Sequence, residues 1–344
     1  MEANERTLPL NCFRRIAPAI QFDSHSKLQK CSARGPIERF ARSHWFQECF
    51  QVPELSHNES VNGIVERMAM ATSNDDCVAP DFFRCAAISD TGTERPHNED
   101  ACGVHVESPM HALVVVADGV SGMEGGEIAS RTAVDVTLSA YRESPVSWGA
   151  AKRLYRAVQR ANIEIHDRAL IVTELRGMST TLTAVVVDGG IAHAVHVGDS
   201  RLYVLRSGRM LQKTKDHTVA AEKRRMGLVS AERFSTDPGR STLTRSLGRD
   251  LIAAIDRLSF PLAHGDTLLL CSDGLYNVLS HDELRDHALR PDSHAACRSL
   301  LDAANAKGTP DNLTAGIVRV ISPPPVAARS GWRALVTKVL GGPS

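Results

Sequence analysis

Hydrophobic and polar positions settle into a regular pattern only after about residue 80. Leu113, Val114, Val115, Val116 and Ala117 form an unbroken apolar run, which predicts a strand covered on both faces, because a strand with one wet face would alternate. The run stops at Asp118-Gly119. A carboxylate at the edge of a core is costly unless a cation meets it, and the glycine lets main-chain atoms approach such a cation closely. Alone, Asp-Gly reads more readily as a plain turn than as a ligand. A second apolar strand, Thr267 to Cys271, ends in the same way at Ser272-Asp273-Gly274.

The segments around these two strands predict the rest of the domain. Ala86 to Ser89 reads as a strand, followed by a polar loop from Asp90 through Val104. Ile128, Ala129, Thr132, Ala133, Val136 and Ala140 make one helical stripe, and Leu154, Val158, Ala161 and Ile165 make a second after Pro145, so two amphipathic helices cover one layer. Thr181 to Val187, Ile191 to Val197 and Arg201 to Leu205, punctuated by Gly189-Gly190 and Ser207-Gly208, predict an antiparallel meander. Residues 216–248 are polar, basic and broken by Pro238-Gly239, the pattern of a short helix and a segment lying over the surface. Helical pieces at Leu284 to Leu289 and Ser293 to Ala306 lead to a last strand, Leu313 to Ile321. The result is an α+β domain over residues 81–322.

Both ends differ from that domain. Residues 1–80 are irregular in period and rich in Ser, Asn, Arg and His, an extension in which Ile37 to Phe50 alone suggests helix; Met68 and Met70 also offer later translation starts. After Pro323-Pro324-Pro325, the residues Trp332, Leu335, Val336, Val339 and Leu340 lie on one helical face. The 323–344 tail is too short to be helical alone in water, so it packs on its own domain, docks on a partner or membrane surface, or stays disordered.

Composition narrows the function. Forty Lys and Arg balance forty Asp and Glu, which leaves no global field for nucleic acid or an anionic membrane. No apolar run approaches bilayer length, so a transmembrane protein is not expected. Eight scattered cysteines without a C-x-x-C pair, and no secretory leader, fit a reduced cytoplasmic protein and argue against a cysteine zinc site.

Four acidic sites share one context: Glu99-Asp100 in a polar loop, Asp118 and Asp273 just after apolar strands, and Asp311-Asn312 just before one. Strand ends in a layered domain lie along a common edge, where carboxylates from several strands can converge. Their repulsion becomes binding when hard divalent cations with oxygen ligands, Mg²⁺ or Mn²⁺, sit among them. Two such ions bridged by a water acidify it and clamp phosphoryl oxygens during in-line displacement.

The ordered set Arg95-x-x-Asn98-Glu99-Asp100, Val116-Ala117-Asp118-Gly119, Gly177-Met178-Ser179-Thr180-Thr181, Gly198-Asp199-Ser200-Arg201, Leu243-Thr244-Arg245-Ser246-Leu247-Gly248, Ser272-Asp273-Gly274-Leu275 and Asp311-Asn312 resembles the metal-dependent PPM (PP2C) phosphatases, compact bacterial type. The resemblance spans about residues 84–321. It implies a four-layer α-β-β-α sandwich with two central, mainly antiparallel sheets. It also implies a binuclear Mn²⁺ or Mg²⁺ centre at one edge, and removal of phosphate from Ser and Thr of proteins in opposition to a Ser/Thr kinase. By the same resemblance Asp118 bridges the metals, the Gly119 carbonyl holds one ion, and Asp273 and Asp311 hold the other. Asp199 helps to hold a third, weaker ion, Glu99 and Asp100 hold metal-bound waters, Arg95 grips phosphate, and 216–248 is the flap bordering the cleft. His193, His196 and His217 are read as sheet or flap-supporting residues, not ligands. One departure is Met123, where bacterial relatives usually carry His, with Ser121 at a usual Gly; a proton donor to the leaving alkoxide is then absent or replaced. A non-catalytic regulator that binds phosphoproteins on the same fold is the rival reading.

Overall fold

The computed structural model describes residues 20–22, 28–31, 82–120, 125–234 and 236–321. The helical piece expected at 37–50, the residues Ser121 and Met123, and the 323–344 tail lie outside the described residues. The chain divides into two units, Met1–Ala79 and Pro80–Ser344. In the first, β1 (Ile20–Phe22) pairs antiparallel with β2 (Leu28–Cys31).

Among the described residues, the second unit holds ten strands in two five-stranded antiparallel sheets. Sheet one comprises β4 (Asp100–Ser108), β5 (His111–Asp118), β6 (Leu182–Asp188), β7 (Ile191–Val197) and β10 (Asp256–Pro261), in the order β10-β7-β6-β5-β4. Sheet two comprises β3 (Phe83–Asp90), β8 (Arg201–Arg206), β9 (Arg209–Gln212), β11 (Thr267–Cys271) and β12 (Leu313–Val320), in the order β3-β12-β11-β8-β9. Helices α1 (Gly126–Glu143) and α2 (Ala150–Ile171) cover sheet one. Past the short flap helices α3 (Val219–Arg225) and α4 (Ala231–Phe234) come the one-turn α5 (Asp273–Tyr276), then α6 (His281–Ala288) and α7 (Ser293–Ala306), which cover sheet two.

Strand parity explains the apolar runs. Leu113, Val115 and Ala117 pack under α1 and α2, whereas Val114 and Val116 pack between the sheets against Leu268, Leu270 and Val318. The alternate residues Leu269 and Cys271 face α7. Both faces of β5 and β11 are therefore dry, and neither can show the two-residue alternation of a half-wet strand. This is the expected α-β-β-α sandwich.

Three elements differ from the sequence expectation. Residues 100–108 form strand β4, not a loop; it is the edge strand of sheet one, and its exposed Val106 and Glu107 dilute the apolar signal. Strands β9 and β10, also at sheet edges, are short and of mixed exposure, and gave no continuous apolar run. Ile128, placed on the packed stripe of α1, is instead exposed.

Candidate active site

The antiparallel register brings Asp100, the first residue of β4, opposite Asp118, the last residue of β5. Asp118 shares the parity of Val114 and Val116, so it belongs to the face between the sheets, at the end of the sandwich. Its main chain is held on both sides. Asp118 N donates to Thr181 Oγ1 (3.0 Å), Thr181 N and Thr180 Oγ1 both donate to Asp118 O (2.8 Å), and Gly119 N donates to Glu99 O (2.9 Å). Gly119 has no room for a side chain: a Cβ there would meet Gly126 O and Glu99 O. The sequence thus puts glycine after Asp118 because three main-chain segments converge on it.

Sheet two contributes from the opposite wall. Ser272 Oγ and Thr314 Oγ1 each donate to Asp100 Oδ2 at 2.7 Å, which pins this buried carboxylate between the sheets. Asp273 opens α5 directly after β11 and receives a bond from Asn277 Nδ2 (3.1 Å). Asp199 sits in the turn between β7 and β8 and is buried. Asp311 precedes β12 and pairs with Arg95 (Nη2 to Oδ1, 3.0 Å), while Arg95 Nε donates to Pro310 O (3.1 Å). Glu99 is half-buried, with its carboxylate against Gly126 at the start of α1.

Electrostatics single out four of these groups. Burial, then Asp100 and further aspartates, raises Asp118 well above the usual carboxylate range. Burial pushes Asp100 up to about 7, against the pull of Ser272 and Thr314 and with the push of Asp273 and Asp311. Asp199 is pushed up to about 8 by burial and by Asp273 and Asp216; Asp273 rises to about 6 through burial and Asp311. Protein that crowds carboxylates together without matching positive charge fits hard cations. Among the described residues no three acidic, His or Cys side chains stand close enough together to form a single-ion cage.

Several residues play supporting roles that the sequence did not assign to them. Asn312 is one: its Oδ1 accepts from Glu99 N (2.9 Å), and its Nδ2 donates to Thr91 O (2.8 Å) and His97 O (2.9 Å). It staples the Arg95-bearing loop to β12. Ser272, Thr314 and Tyr276 are others. The flap returns to the site through Thr180, whose N donates to Leu247 O (3.1 Å), and through Arg240, whose Nη2 donates to Asn277 Oδ1 (3.1 Å).

The family model described as Protein phosphatase 2C matches residues 93–315. The chain belongs to the protein phosphatase 2C family. It is similar to the serine/threonine phosphatase stp of Listeria innocua, with 35% identity over 67% of this chain and 93% of that protein. To PstP of Mycobacterium tuberculosis, a serine/threonine protein phosphatase, it is 34% identical over 70% of this chain and 45% of PstP. The crystal structure of the PstP catalytic domain in complex with two manganese ions superposes with a TM-score of 0.61 at 31% identity, over 70% of this chain and 99% of that one. The fold likeness thus covers a similar share of the chain to the sequence likeness.

Proposed function

We propose that this protein removes phosphate from phosphoserine and phosphothreonine of proteins with the help of Mn²⁺ or Mg²⁺, in the cytoplasm and in opposition to a Ser/Thr kinase. The observation that carries the reading is the crowding of Asp100, Asp118, Asp199 and Asp273: Asp100 stands opposite Asp118 in register, and all four carboxyls are raised by burial and by neighbouring aspartates. Asp118, the Gly119 carbonyl, Asp273 and Asp311 would hold two ions, and Asp199 would help with a third. When bound, the ions supply an acidified water for in-line attack on phosphorus and neutralise the phosphoryl oxygens.

The chain's own residues do the rest. Arg95, beside Asp311, presents a planar fork suited to two phosphoryl oxygens. Asp100, fixed by Ser272 and Thr314, and Glu99, fixed through its main chain by Asn312 and Gly119, would orient waters at the mouth. The flap over 216–248 would border the phosphoprotein and influence its choice. The tail stripe at Trp332 would dock on a partner or membrane surface. Among the described residues no helix is long and apolar enough to cross a membrane.

Incubation with a phosphothreonine peptide, with and without Mn²⁺, tests the reading. Phosphate release that requires Mn²⁺ is expected. Peptide binding with no release under either condition would instead favour a non-catalytic phosphoprotein regulator, which has no use for carboxylates that repel one another.

A further inference from the structure

The turn that carries Asp199 is tied from several directions. Gly198 N donates to His217 Nδ1 (3.1 Å), and Gly198 O accepts from His217 N (2.8 Å). Ser200 Oγ lies 2.7 Å from Thr181 Oγ1, and Ser200 O accepts from Thr183 Oγ1 (2.7 Å). Those ties come from sheet one and from the base of the flap. A further tie comes from α5: Tyr276 Oη donates to Asp199 O (3.2 Å).

Tyr276 stands one helical turn beyond Asp273, so a single short helix carries one of the crowded aspartates and bonds the main chain of another. Its ring is fixed in turn. The Arg201 guanidinium lies 3.5 Å from the ring centroid, close enough for cation–π stacking. That guanidinium is held in a fork, with Nε 3.0 Å from Asp216 Oδ1 and Nη2 2.6 Å from Asp216 Oδ2, and its Nη1 donates to Tyr203 Oη (3.1 Å). Gln212 Nε2 holds Asp216 Oδ1 at 2.9 Å. The aromatic ring therefore has little freedom, and its hydroxyl meets the main chain of Asp199 at a set distance.

We propose that Tyr276 is a positioning residue: stacked under Arg201 and bonded to Asp199 O, it fixes the spacing between Asp199 and the helix that opens at Asp273. The inference rests on the reading that these two aspartates hold divalent cations. Asp199 contributes from a turn, and a turn can yield by fractions of an ångström that a cation with short oxygen contacts does not tolerate. Side chains that orient metal ligands without touching the metal commonly set affinity by about 10- to 100-fold.

Tyr276→Phe keeps the ring and the stack and removes only the hydroxyl. Mn²⁺ binding to the full chain, measured by isothermal titration calorimetry, should show its weakest step weakened by about 10-fold or more in this variant. The unfolding midpoint in EDTA should move by less than about 4 °C, which separates positioning from folding. Tyr276→Leu, which also loses the stack, should weaken that step further. Tyr203→Phe removes a different hydroxyl from the same guanidinium and should bind Mn²⁺ as the parent does. Parent-like Mn²⁺ binding by Tyr276→Phe overturns the inference, as does an equal loss in Tyr203→Phe, because the effect would then be general loosening around Arg201. A parent protein that binds no Mn²⁺ overturns the cation reading itself, and the inference with it.

Discussion

Arg95 Nη2 lies 3.0 Å from Asp311 Oδ1, so the residue proposed to grip phosphate and one proposed to hold metal form an ion pair. Both side chains keep about a third of their surface exposed (34% and 32%), and a pair in that setting contributes only about 0–1 kcal/mol. Exchanging it for contacts with a cation and a phosphoryl group therefore costs little. The variant Arg95→Ala should fold normally, with an unfolding midpoint in EDTA close to that of the parent. Its kcat/KM on a phosphothreonine peptide should fall by about 10²-fold or more, as when one charge-stabilising donor is lost. Steady-state kinetics that stay within about threefold of the parent would remove Arg95 from the site.

Asp118 offers the opposite balance of stability and activity. Asp100 faces it in register, and burial and four neighbouring aspartates raise its carboxyl well above the ordinary range, so the charged form is a burden on the cation-free fold. Asp118→Asn removes that charge with little change in shape. Metal-dependent hydrolysis should be abolished, while the variant in EDTA becomes more stable by about 1 kcal/mol or more, a rise of roughly 2–4 °C in midpoint. Activity retained in Asp118→Asn would refute its role. A lower midpoint in EDTA would show that the carboxylate is not crowded.

How much of this was legible in the sequence depends on the strand. β5 and β11 are central, dry on both faces and continuous in apolar residues, so their ends, and with them Asp118 and Asp273, stood out. β4 is an edge strand with mixed exposure, so Asp100 read as a loop acid although it starts a strand and is 7% exposed. The convergence of the acidic groups is a register fact: Asp100 meets Asp118, and Ser272 and Thr314 reach Asp100, through pairings that only the assembled sheets define. Small hydroxyl residues in strands have no periodic signature, which is why Ser272 and Thr314 could not be singled out. Asn312 was visible as a neighbour of Asp311, but its three bonds to the 91–99 loop span more than two hundred residues of chain and leave no local trace.

Gly274 is expected to be irreplaceable for a steric reason. A Cβ at this position would run into the main-chain oxygen of Asn312, and a main-chain atom cannot step aside as a flexible side chain can. Gly274→Ala should therefore cost about 1–3 kcal/mol in urea unfolding and push α5 away from the start of β12, separating Asp273 from Asp311. Phosphate release and Mn²⁺ binding should both fall. Gly265→Ala is the contrast: its φ of +80° makes a side chain strained, yet nothing lies within 4 Å of the added Cβ. That variant should lose about 1 kcal/mol or so and keep its activity. Equal effects on activity from the two substitutions would count against the steric account.

His196 gives the fold an acid sensitivity independent of the crowded aspartates. It is fully buried in β7, with Nε2 3.0 Å from Lys215 O and Nδ1 2.9 Å from Thr183 Oγ1, and its ring centroid is 4.8 Å from that of His217. A carbonyl only accepts, so in the neutral ring Nε2 carries the hydrogen, while Nδ1 and Ser200 O share the single hydrogen of the Thr183 hydroxyl. Burial first, and His217 next, lower its pKa to about 4, against the weaker pull of the Lys215 carbonyl, Asp216 and Asp256. The unfolded chain, with histidine near the ordinary value of about 6.5, binds the proton more readily than the folded one. The stability tied to neutral His196 is thus complete above about pH 6.5 and is lost as pH falls toward the folded pKa, by about 2 kcal/mol at pH 5. Urea unfolding of the parent and of His196→Gln at pH 7 and pH 5 isolates this contribution, because the aspartates titrate alike in both proteins. The stability difference between the two should shift by about 2 kcal/mol in favour of the variant at the lower pH. A difference that stays constant across this range would mean that His196 is not held neutral by its surroundings.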